Sequence, residues 1–274
     1  MPRKEAWGAV FKDITLGQYF PEDSILHRLD ARIKLGICFA LLIVIFMLKS
    51  YLQYGIMMLA IFILILMSKV PLSLYLKSLR PMVILILFTG IINMLMTDGQ
   101  VIYQFWVFKI TYEGVTMAAQ MLLRIVLLVV ASAILTYTTS PIVLTGALES
   151  LLKPLRVFKF PAHEVAMMMT IALRFIPTLI DEADKIIKAQ TSRGADFSTG
   201  SPMVRAKALV PVLIPLFVNS FRRADELAVA MEARCYNGGD GRTSLHVPRI
   251  IARDYVACAV CVLVCAGVLV VNYY

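Results

Sequence analysis

The sequence predicts an all-α polytopic membrane protein, with about five transmembrane helices and long amphipathic helices on the cytoplasmic side. Two observations predict this class. Of the 274 residues, 59% are hydrophobic and 16% are charged, whereas soluble domains contain about 45–50% apolar and about 25% charged residues. The apolar residues are also gathered in blocks, several of them close to the ~20 residues that a helix needs to cross the hydrocarbon core. A soluble single domain and a disordered chain are therefore excluded.

Five apolar blocks predict the transmembrane helices. They cover about 33–48, 51–67, 82–96, 114–137 and 255–272. The middle block is short, so it needs local thinning of the bilayer or snorkelling flanks. The segment 101–110 is β-branched and aromatic but too short to span, and we predict that it is interfacial or re-entrant. The polar residues 1–34 show no pattern of a cleaved signal peptide, so none is expected.

Lysine and arginine set the predicted orientation, because the side richer in them stays in the cytoplasm. Residues 1–34, 68–81 and 138–254 hold 24 of the 27, and Lys49 and Lys109 lie on the opposite side. The prediction is a multi-pass protein of the plasma membrane with a cytoplasmic N-terminus and an extracytoplasmic C-terminus. The net charge of +9 then reflects this topology and contact with the anionic face of the lipid bilayer, and no nucleic-acid partner is expected.

Arg124 is the remaining cation, and it lies well inside the fourth block. A charge within a span is a functional candidate, because it is costly in hydrocarbon and is kept for a reason. The alternative is a structural arginine that donates to backbone carbonyls or to a cytoplasmic carboxylate. None of the predicted spans contains Asp or Glu, so an intramembrane carboxylate relay is not expected.

Residues 138–254 form the predicted cytoplasmic domain, between residues 1–137 with the first four spans and the C-terminal span, 255–274. From residue 164 onward apolar residues recur every three or four positions, with charges on the other face, which predicts an amphipathic helix of nearly thirty residues. This helix should stop at Ser192-Arg193-Gly194, where glycine supplies a left-handed residue. A second such helix is predicted from about 203 to 235.

The two long helices repeat each other at an offset of 41 residues. Arg193 then falls on Arg234, and Ala183-Asp184 falls on Ala224-Asp225. Each arginine has small neighbours, which are Ser192, Gly194, Ala233 and Cys235. An arginine between small residues at a helix end can enter a partner's groove and meet a carboxylate with both arms of its guanidinium. The alternative is that a cation suits the negative end of the helix dipole, which leaves the matched flanks unexplained.

No sequence motif for catalysis or cofactor binding is found. The phosphate loop G-x-x-x-x-G-K-[ST], the zinc motif H-E-x-x-H and the hydrolase motif G-x-S-x-G do not occur. The three histidines, His27, His163 and His246, lie far apart in predicted cytoplasmic loops. We therefore expect no catalytic residue, no metal site and no cofactor, and we predict that the protein is not an enzyme.

Several longer motifs carry a resemblance to a known family. They are Leu16-Gly17-Gln18-Tyr19 with Asp23-Ser24 and His27-Arg28-Leu29-Asp30, then Leu173-Arg174-Phe175-Ile176-Pro177, Gln190-Thr191-Ser192-Arg193-Gly194-Ala195-Asp196, and Phe221-Arg222-Arg223-Ala224-Asp225-Glu226-Leu227 running into Met231-Glu232-Ala233-Arg234-Cys235-Tyr236. Over nearly its whole length the chain resembles the transmembrane T component of energy-coupling factor vitamin transporters.

The resemblance implies a non-catalytic coupling subunit that links two ABC-type ATPases to a membrane-embedded substrate-binding subunit, for uptake of a vitamin or micronutrient. In the family, two arginine motifs end two coupling helices that cross in an X, and each motif inserts into a groove on one ATPase. Here the motifs read Ser-Arg-Gly and Ala-Arg-Cys where Ala-Arg-Gly and Ala-Arg-Ser-like forms are usual. The residues that the resemblance assigns to ATPase docking are Ser192, Arg193, Gly194, Ala233, Arg234 and Cys235.

The apolar faces of the two long helices predict a second contact, because they are too continuous to be left in water. We expect them to contact the substrate-binding subunit, since methionine side chains adapt to a partner that changes shape. The residues chosen for this face are Met167, Met168, Met169, Leu213, Leu216 and Phe217. The alternative function is a stand-alone secondary carrier, which should show inverted repeats of spans, or a membrane-embedded enzyme, which needs a constellation of catalytic groups.

Overall fold

The structure, a computed structural model, describes residues 19–105, 108–154, 161–197, 201–238 and 250–271. These residues fall into two compact units. The bundle unit contains the described residues of 19–147 and 250–271, and the helix-pair unit contains those of 148–238. The division of the chain into residues 1–137, 138–254 and 255–274 stays a prediction.

The described residues are mainly helical. In chain order the helices are α1 Ala31–Met47, α2 Tyr51–Ser68, α3 Leu72–Leu79, α4 Val83–Met96, α5 Tyr112–Thr138, α6 Pro141–Leu152, α7 Ala162–Ser192, α8 Pro202–Glu232 and α9 Ala252–Val270. A 3₁₀ turn, Arg80–Met82, joins α3 to α4, and two short strands precede α5. The predicted all-α class is confirmed, because those two strands form only a small hairpin beside the helices.

Five helices are long and apolar enough to cross a membrane. Four of them match predicted spans: α2, the stretch Leu72–Met96, α5 and α9. The fifth is α7, which the sequence placed in the cytoplasm. It qualifies because its first half is apolar, while its charges are concentrated in the second half. The first predicted span, 33–48, forms α1, whose 17 residues extend about 26 Å at 1.5 Å per residue.

The segment predicted to be interfacial or re-entrant forms an antiparallel hairpin of β1, Val101–Phe105, and β2, Phe108–Thr111. Alternating β-branched and aromatic residues favour this pairing over a helix. Its base is held by two side chains: Thr111 Oγ1 donates to the Thr97 carbonyl at 2.7 Å, and Glu113 Oε2 accepts from the Gln100 N–H at 2.7 Å. These bonds fix the hairpin where α5 begins.

Helix α5 is the central helix of the bundle unit, because it packs against α1, α2, α3 and α4. Helix α9 closes the bundle against α1 and α2. Apolar side chains from these helices form one continuous core, and its most deeply buried members are Ile45, Leu48, Tyr54, Met57, Tyr75 and Val268. The C-terminal span therefore packs beside the first two helices, although about 200 residues separate them in the chain.

Arg124 donates to the end of a helix. Its Nη2 lies 2.7 Å from the carbonyl oxygen of Leu48, the residue that follows α1, and Gln120 Nε2 donates to the Lys49 carbonyl at 3.1 Å. Since α1 is short, its final carbonyls meet α5 twelve residues into that helix, about 18 Å from its start. Arg124 therefore donates to a backbone carbonyl, as the structural alternative predicts.

Gln53 completes the same turn from the other side. Its Oε1 accepts from the N–H groups of Lys49 and Ser50, both at 2.9 Å, and its Nε2 donates to the Val268 carbonyl at 2.9 Å. The Gln53 side chain is fully buried. A buried amide with its polar groups paired costs little, whereas an unpaired one is expensive. This residue thus ties α9 to the α1–α2 turn.

The opposite end of α1 is held by charged groups. Lys34 is buried, and its Nζ donates to the Thr138 carbonyl at 2.9 Å and to Thr139 Oγ1 at 3.3 Å. Asp254, also buried, accepts from the Asp30 N–H at 3.0 Å and from the Ile251 N–H at 2.8 Å. These bonds join the start of α1 to the end of α5 and to the start of α9.

The described residues of the opening motif, Tyr19, Asp23-Ser24 and His27 to Asp30, fold as a cap over this end, while Leu16-Gly17-Gln18 lie outside the described residues. His27 makes hydrogen bonds through both ring nitrogens, to Ser24 Oγ at 2.7 Å and to the Phe20 carbonyl at 3.0 Å. Asp23 and Arg28 form an exposed two-bonded ion pair, and the hydrogen bond from Arg28 lowers the pKa of the Asp23 carboxyl. The motif that carried the family resemblance therefore has a structural role in the bundle unit.

Replacing Arg124 tests the role assigned to it. In Arg124→Leu the Leu48 carbonyl loses its shorter hydrogen bond and keeps the one from the Tyr54 hydroxyl at 3.4 Å, and a hydrogen bond to a charged group contributes about 1.5–3 kcal/mol. We expect a lower unfolding temperature of the purified protein in detergent, measured by loss of the monodisperse gel-filtration peak after heating. Arg124→Lys should keep part of the stability. An unchanged midpoint in Arg124→Leu would contradict this assignment.

Candidate functional site

The helix-pair unit is built on two helices of equal length. Both α7 and α8 have 31 residues, in agreement with the predicted ranges of 164–192 and about 203–235. Three prolines, Pro177, Pro211 and Pro215, lie inside these helices without ending them. Each proline removes one intrahelical hydrogen bond, so these positions are the weakest points of two otherwise continuous helices.

The end of α7 is a glycine cap. Gly194 has φ +90°. The N–H of Ala195 donates back to the Gln190 carbonyl at 3.0 Å, and the N–H of Gly194 donates to the Thr191 carbonyl at 3.0 Å. This is the Schellman arrangement, in which a left-handed residue turns the chain back onto the last helical carbonyls. The predicted stop at Ser192-Arg193-Gly194 is confirmed, and Arg193 is the residue just before the turn.

The end of α8 has the same geometry at the positions 41 residues further on. Cys235 has φ +56°, the N–H of Tyr236 donates to the Met231 carbonyl at 3.1 Å, and the N–H of Cys235 donates to Glu232 at 2.9 Å. The repeat found in the sequence is therefore also a repeat of backbone structure. A left-handed cysteine is less favourable than a left-handed glycine, so the second cap is the more strained copy.

Both arginines are exposed at these caps. Arg193 and Arg234, and the small residues beside them, lie on the surface. Within the described ranges neither guanidinium has an ion pair or a side-chain hydrogen bond. Each arginine therefore presents a free planar fork on a fixed turn, the arrangement that suits two-pronged binding of a carboxylate.

The two helices meet through one polar contact. Glu182 of α7 accepts from Arg223 of α8 at 3.2 Å and from the side-chain amide of Asn219. The Arg223 guanidinium also lies over the Phe175 ring, 5.8 Å from its centre, within the range of a cation–π contact. Beside this contact is an open apolar groove between the helices, lined by Ile171, Phe175, Leu179, Ala224, Leu227, Ala228 and Met231.

The second predicted face is largely exposed. Leu213 and Phe217 of α8 are 48% and 62% exposed, and Met168 and Met169 of α7 are 57% and 38% exposed. Met167 and Leu216 are half-buried. The exposed apolar stripe on α8 is longer than the predicted set and continues through Val210, Ile214, Val218 and Phe221. Successive residues of this set are four, four and three positions apart, and this helical spacing is the signal that could have found them.

A protein-family model matches most of this chain. The family model CbiQ, described as cobalt transport protein, matches residues 22–245. The chain belongs to the CbiQ family. The match covers Asp23-Ser24 and His27 to Asp30 of the opening motif, the bundle helices α1 to α5 and both arginine motifs of the helix pair.

Individual relatives of this CbiQ-family chain are similar to it in sequence over most of its length. The chain is 49% identical over 264 residues to the energy-coupling factor transporter transmembrane protein EcfT of Ruminiclostridium cellulolyticum, covering 96% of this chain and 99% of that protein. It is 51% identical over 264 residues to the protein of the same name from Clostridium kluyveri, covering 95% and 97%. The EcfT protein of Acidaminococcus fermentans is 52% identical over 234 residues, covering 85% and 87%. The resemblance read from the motifs is confirmed: the chain belongs to the family of energy-coupling factor transporter transmembrane proteins.

The two caps give a matched test of local structure. Gly194→Ala places a side chain at φ +90° and should weaken the α7 cap by about 1 kcal/mol, whereas Cys235→Gly relieves the equivalent strain in α8. Amide hydrogen exchange measures this directly: we expect faster exchange at Ala195 in Gly194→Ala and equal or slower exchange at Tyr236 in Cys235→Gly. The reverse order would show that the caps are not equivalent.

Proposed function

We propose that the chain couples two ABC-type ATPases to a membrane-embedded substrate-binding subunit and performs no catalysis itself. The observation that carries the proposal is the pair of matched caps, each with an exposed arginine before a left-handed residue. Two copies of one docking element imply two similar receiving grooves, and hence two similar partners. The relatives are named as transmembrane proteins of energy-coupling factor transporters, and we expect such partners in a transporter of this kind.

Docking through the arginines has a clear physical basis. The side chains of Arg193 and Arg234 extend from fixed turns, and their neighbours are too small to obstruct a groove. A guanidinium forms two parallel hydrogen bonds to a carboxylate, and these charge-assisted bonds are among the strongest in proteins. The helix dipole alone accounts for a cation near a helix end, but it does not account for two left-handed caps with small flanks.

The exposed stripe of α8 is the proposed contact for the substrate-binding subunit. Its six residues are Val210, Leu213, Ile214, Phe217, Val218 and Phe221, all on one face of the helix and all more than one third exposed. Contiguous apolar surface of this kind marks a binding site for protein or membrane. Met167, Met168 and Met169 add an adaptable surface on α7. In this proposal substrate choice belongs to the partner subunit.

The proposed orientation places the N-terminus and the helix-pair unit on the cytoplasmic side and the C-terminus outside. The excess of lysine and arginine in residues 1–34, 68–81 and 138–254 supports it. The first half of α7 is apolar enough to enter the membrane, and its second half is charged. We expect the apolar half of α7 to lie against the bilayer surface, with Asp181 to Lys188 in water.

Reversing the charge of the two arginines tests ATPase docking. Loss of one partner of a buried charge pair typically costs 2–5 kcal/mol or more, so Arg193→Glu and Arg234→Glu should each reduce co-purification of the ATPases, and the double variant should abolish it. Arg222→Glu is the control, because Arg222 is exposed on α8 and lies outside the two docking motifs, Ser192-Arg193-Gly194 and Ala233-Arg234-Cys235. Undiminished co-purification by the double variant would refute docking through these residues.

A charge on the exposed stripe tests the second contact. Leu213→Asp buries a carboxylate if the stripe is covered by an apolar partner, which is strongly unfavourable. We expect loss of the substrate-binding subunit from the purified complex while both ATPases remain, measured by mass spectrometry of the intact complex. Arg222→Asp adds the same carboxylate outside the stripe and should retain all subunits. If Leu213→Asp loses the ATPases first, the stripe belongs to a different interface.

A further inference from the structure

The contact between α7 and α8 joins equivalent positions of the repeat. Adding the repeat offset of 41 to Glu182 gives Arg223, and these two residues form the ion pair at 3.2 Å. Equivalent positions of two copies come into contact where the rotation axis that relates the copies passes close to them. The ion pair therefore marks the point about which α7 and α8 are related.

The two arginine ends lie at equal distances from this point. Eleven residues separate Glu182 from Arg193, and eleven separate Arg223 from Arg234. At 1.5 Å per residue each arm is about 16 Å long. A rotation of the helices about the ion pair would thus move both arginine ends equally, so that a displacement at one end is matched at the other.

The Glu182–Arg223 ion pair is the most directional part of the contact between α7 and α8. Among the described residues it is the only ion pair between the two helices, and its side chains are only 32% and 21% exposed, so salt screens it less than a surface pair. The groove next to it is apolar and open. Apolar contacts are non-directional, whereas Glu182 and Phe175 hold the Arg223 guanidinium, and Asn219 holds the Glu182 carboxylate by donating to its other oxygen.

The geometry points to Glu182 and Arg223 as positioning residues that fix the contact point of α7 and α8, so that the two arginine ends move in equal measure. This inference rests on the proposed coupling function, since it explains how two docked ATPases act on one helix pair. It adds a role to residues that touch neither the ATPases nor the substrate-binding subunit in that proposal.

The experiment measures the distance between the two arms in the complex co-purified with its ATPases. Spin labels are attached at Lys188→Cys, an exposed position of α7, and at Val229→Cys, its repeat equivalent on α8, which is 65% exposed. Cys38, Cys258, Cys261 and Cys265 are replaced by alanine, and Cys235 by serine, which keeps a small residue beside Arg234. Coupling energies between contacting groups correspond to factors of about two to a hundred in population. In Glu182→Gln or Arg223→Gln we expect the population at the unsubstituted distance to fall about tenfold and the distribution to broaden.

The swapped variant and a matched control decide the interpretation. Glu182→Arg combined with Arg223→Glu restores an ion pair with reversed polarity and should recover the narrow distribution. Arg222→Gln with Glu226→Gln removes an ion pair within α8 and should leave the distribution unchanged. Provided that the ATPases still co-purify, an unchanged distance distribution in Glu182→Gln and Arg223→Gln overturns the inference. A swapped variant that does not recover the narrow distribution overturns it as well. Failure of the unsubstituted chain to retain ATPases would instead refute the proposed function.

Discussion

The cost of an unpaired backbone group in hydrocarbon governs the bundle unit. A spanning helix satisfies its own interior hydrogen bonds, but its last carbonyls and first N–H groups need partners from elsewhere. The structure supplies them with long polar side chains: Arg124 and Gln53 at the α1–α2 turn, and Lys34 and Asp254 at the other end. These groups join the ends of α1 to the helices that pack beside it.

Much of the fold follows from apolar blocks and periodicity. The spans from residue 51 onward and both long helices lie where the sequence placed them, since a helix is a local structure whose length and faces are written in consecutive residues. The hairpin before α5 was missed, because a short apolar run fits a strand and an interfacial segment equally well. The apolar first half of α7 was read only as one face of a long helix, which concealed its similarity to a span.

In the candidate site too, local features could be predicted from the sequence, whereas a contact between two helices could not. Arg193 and Arg234 could be found from the sequence, because their flanks and caps are local features. The pairing of Glu182 with Arg223 could not be read from periodicity, since contact between two helices depends on register and crossing, which single-helix patterns do not specify. The signal was present in another form: the pair differs by the same 41 residues as the arginines. A repeat therefore predicts more than similar parts, because it also restricts which positions can meet.

The unequal lengths of α1 and α5 have a consequence for the surrounding lipid. Helix α1 extends about 26 Å and the 27-residue α5 about 40 Å, at 1.5 Å per residue. A rigid body with walls of different height imposes a different acyl-chain thickness on each side, at a cost of a fraction of a kcal/mol per Å of mismatch. We expect the lipid beside the α1–α2 turn to be thinner than the lipid beside the hairpin. A neighbouring membrane protein of matching short span would relieve that deformation by settling on the thin side.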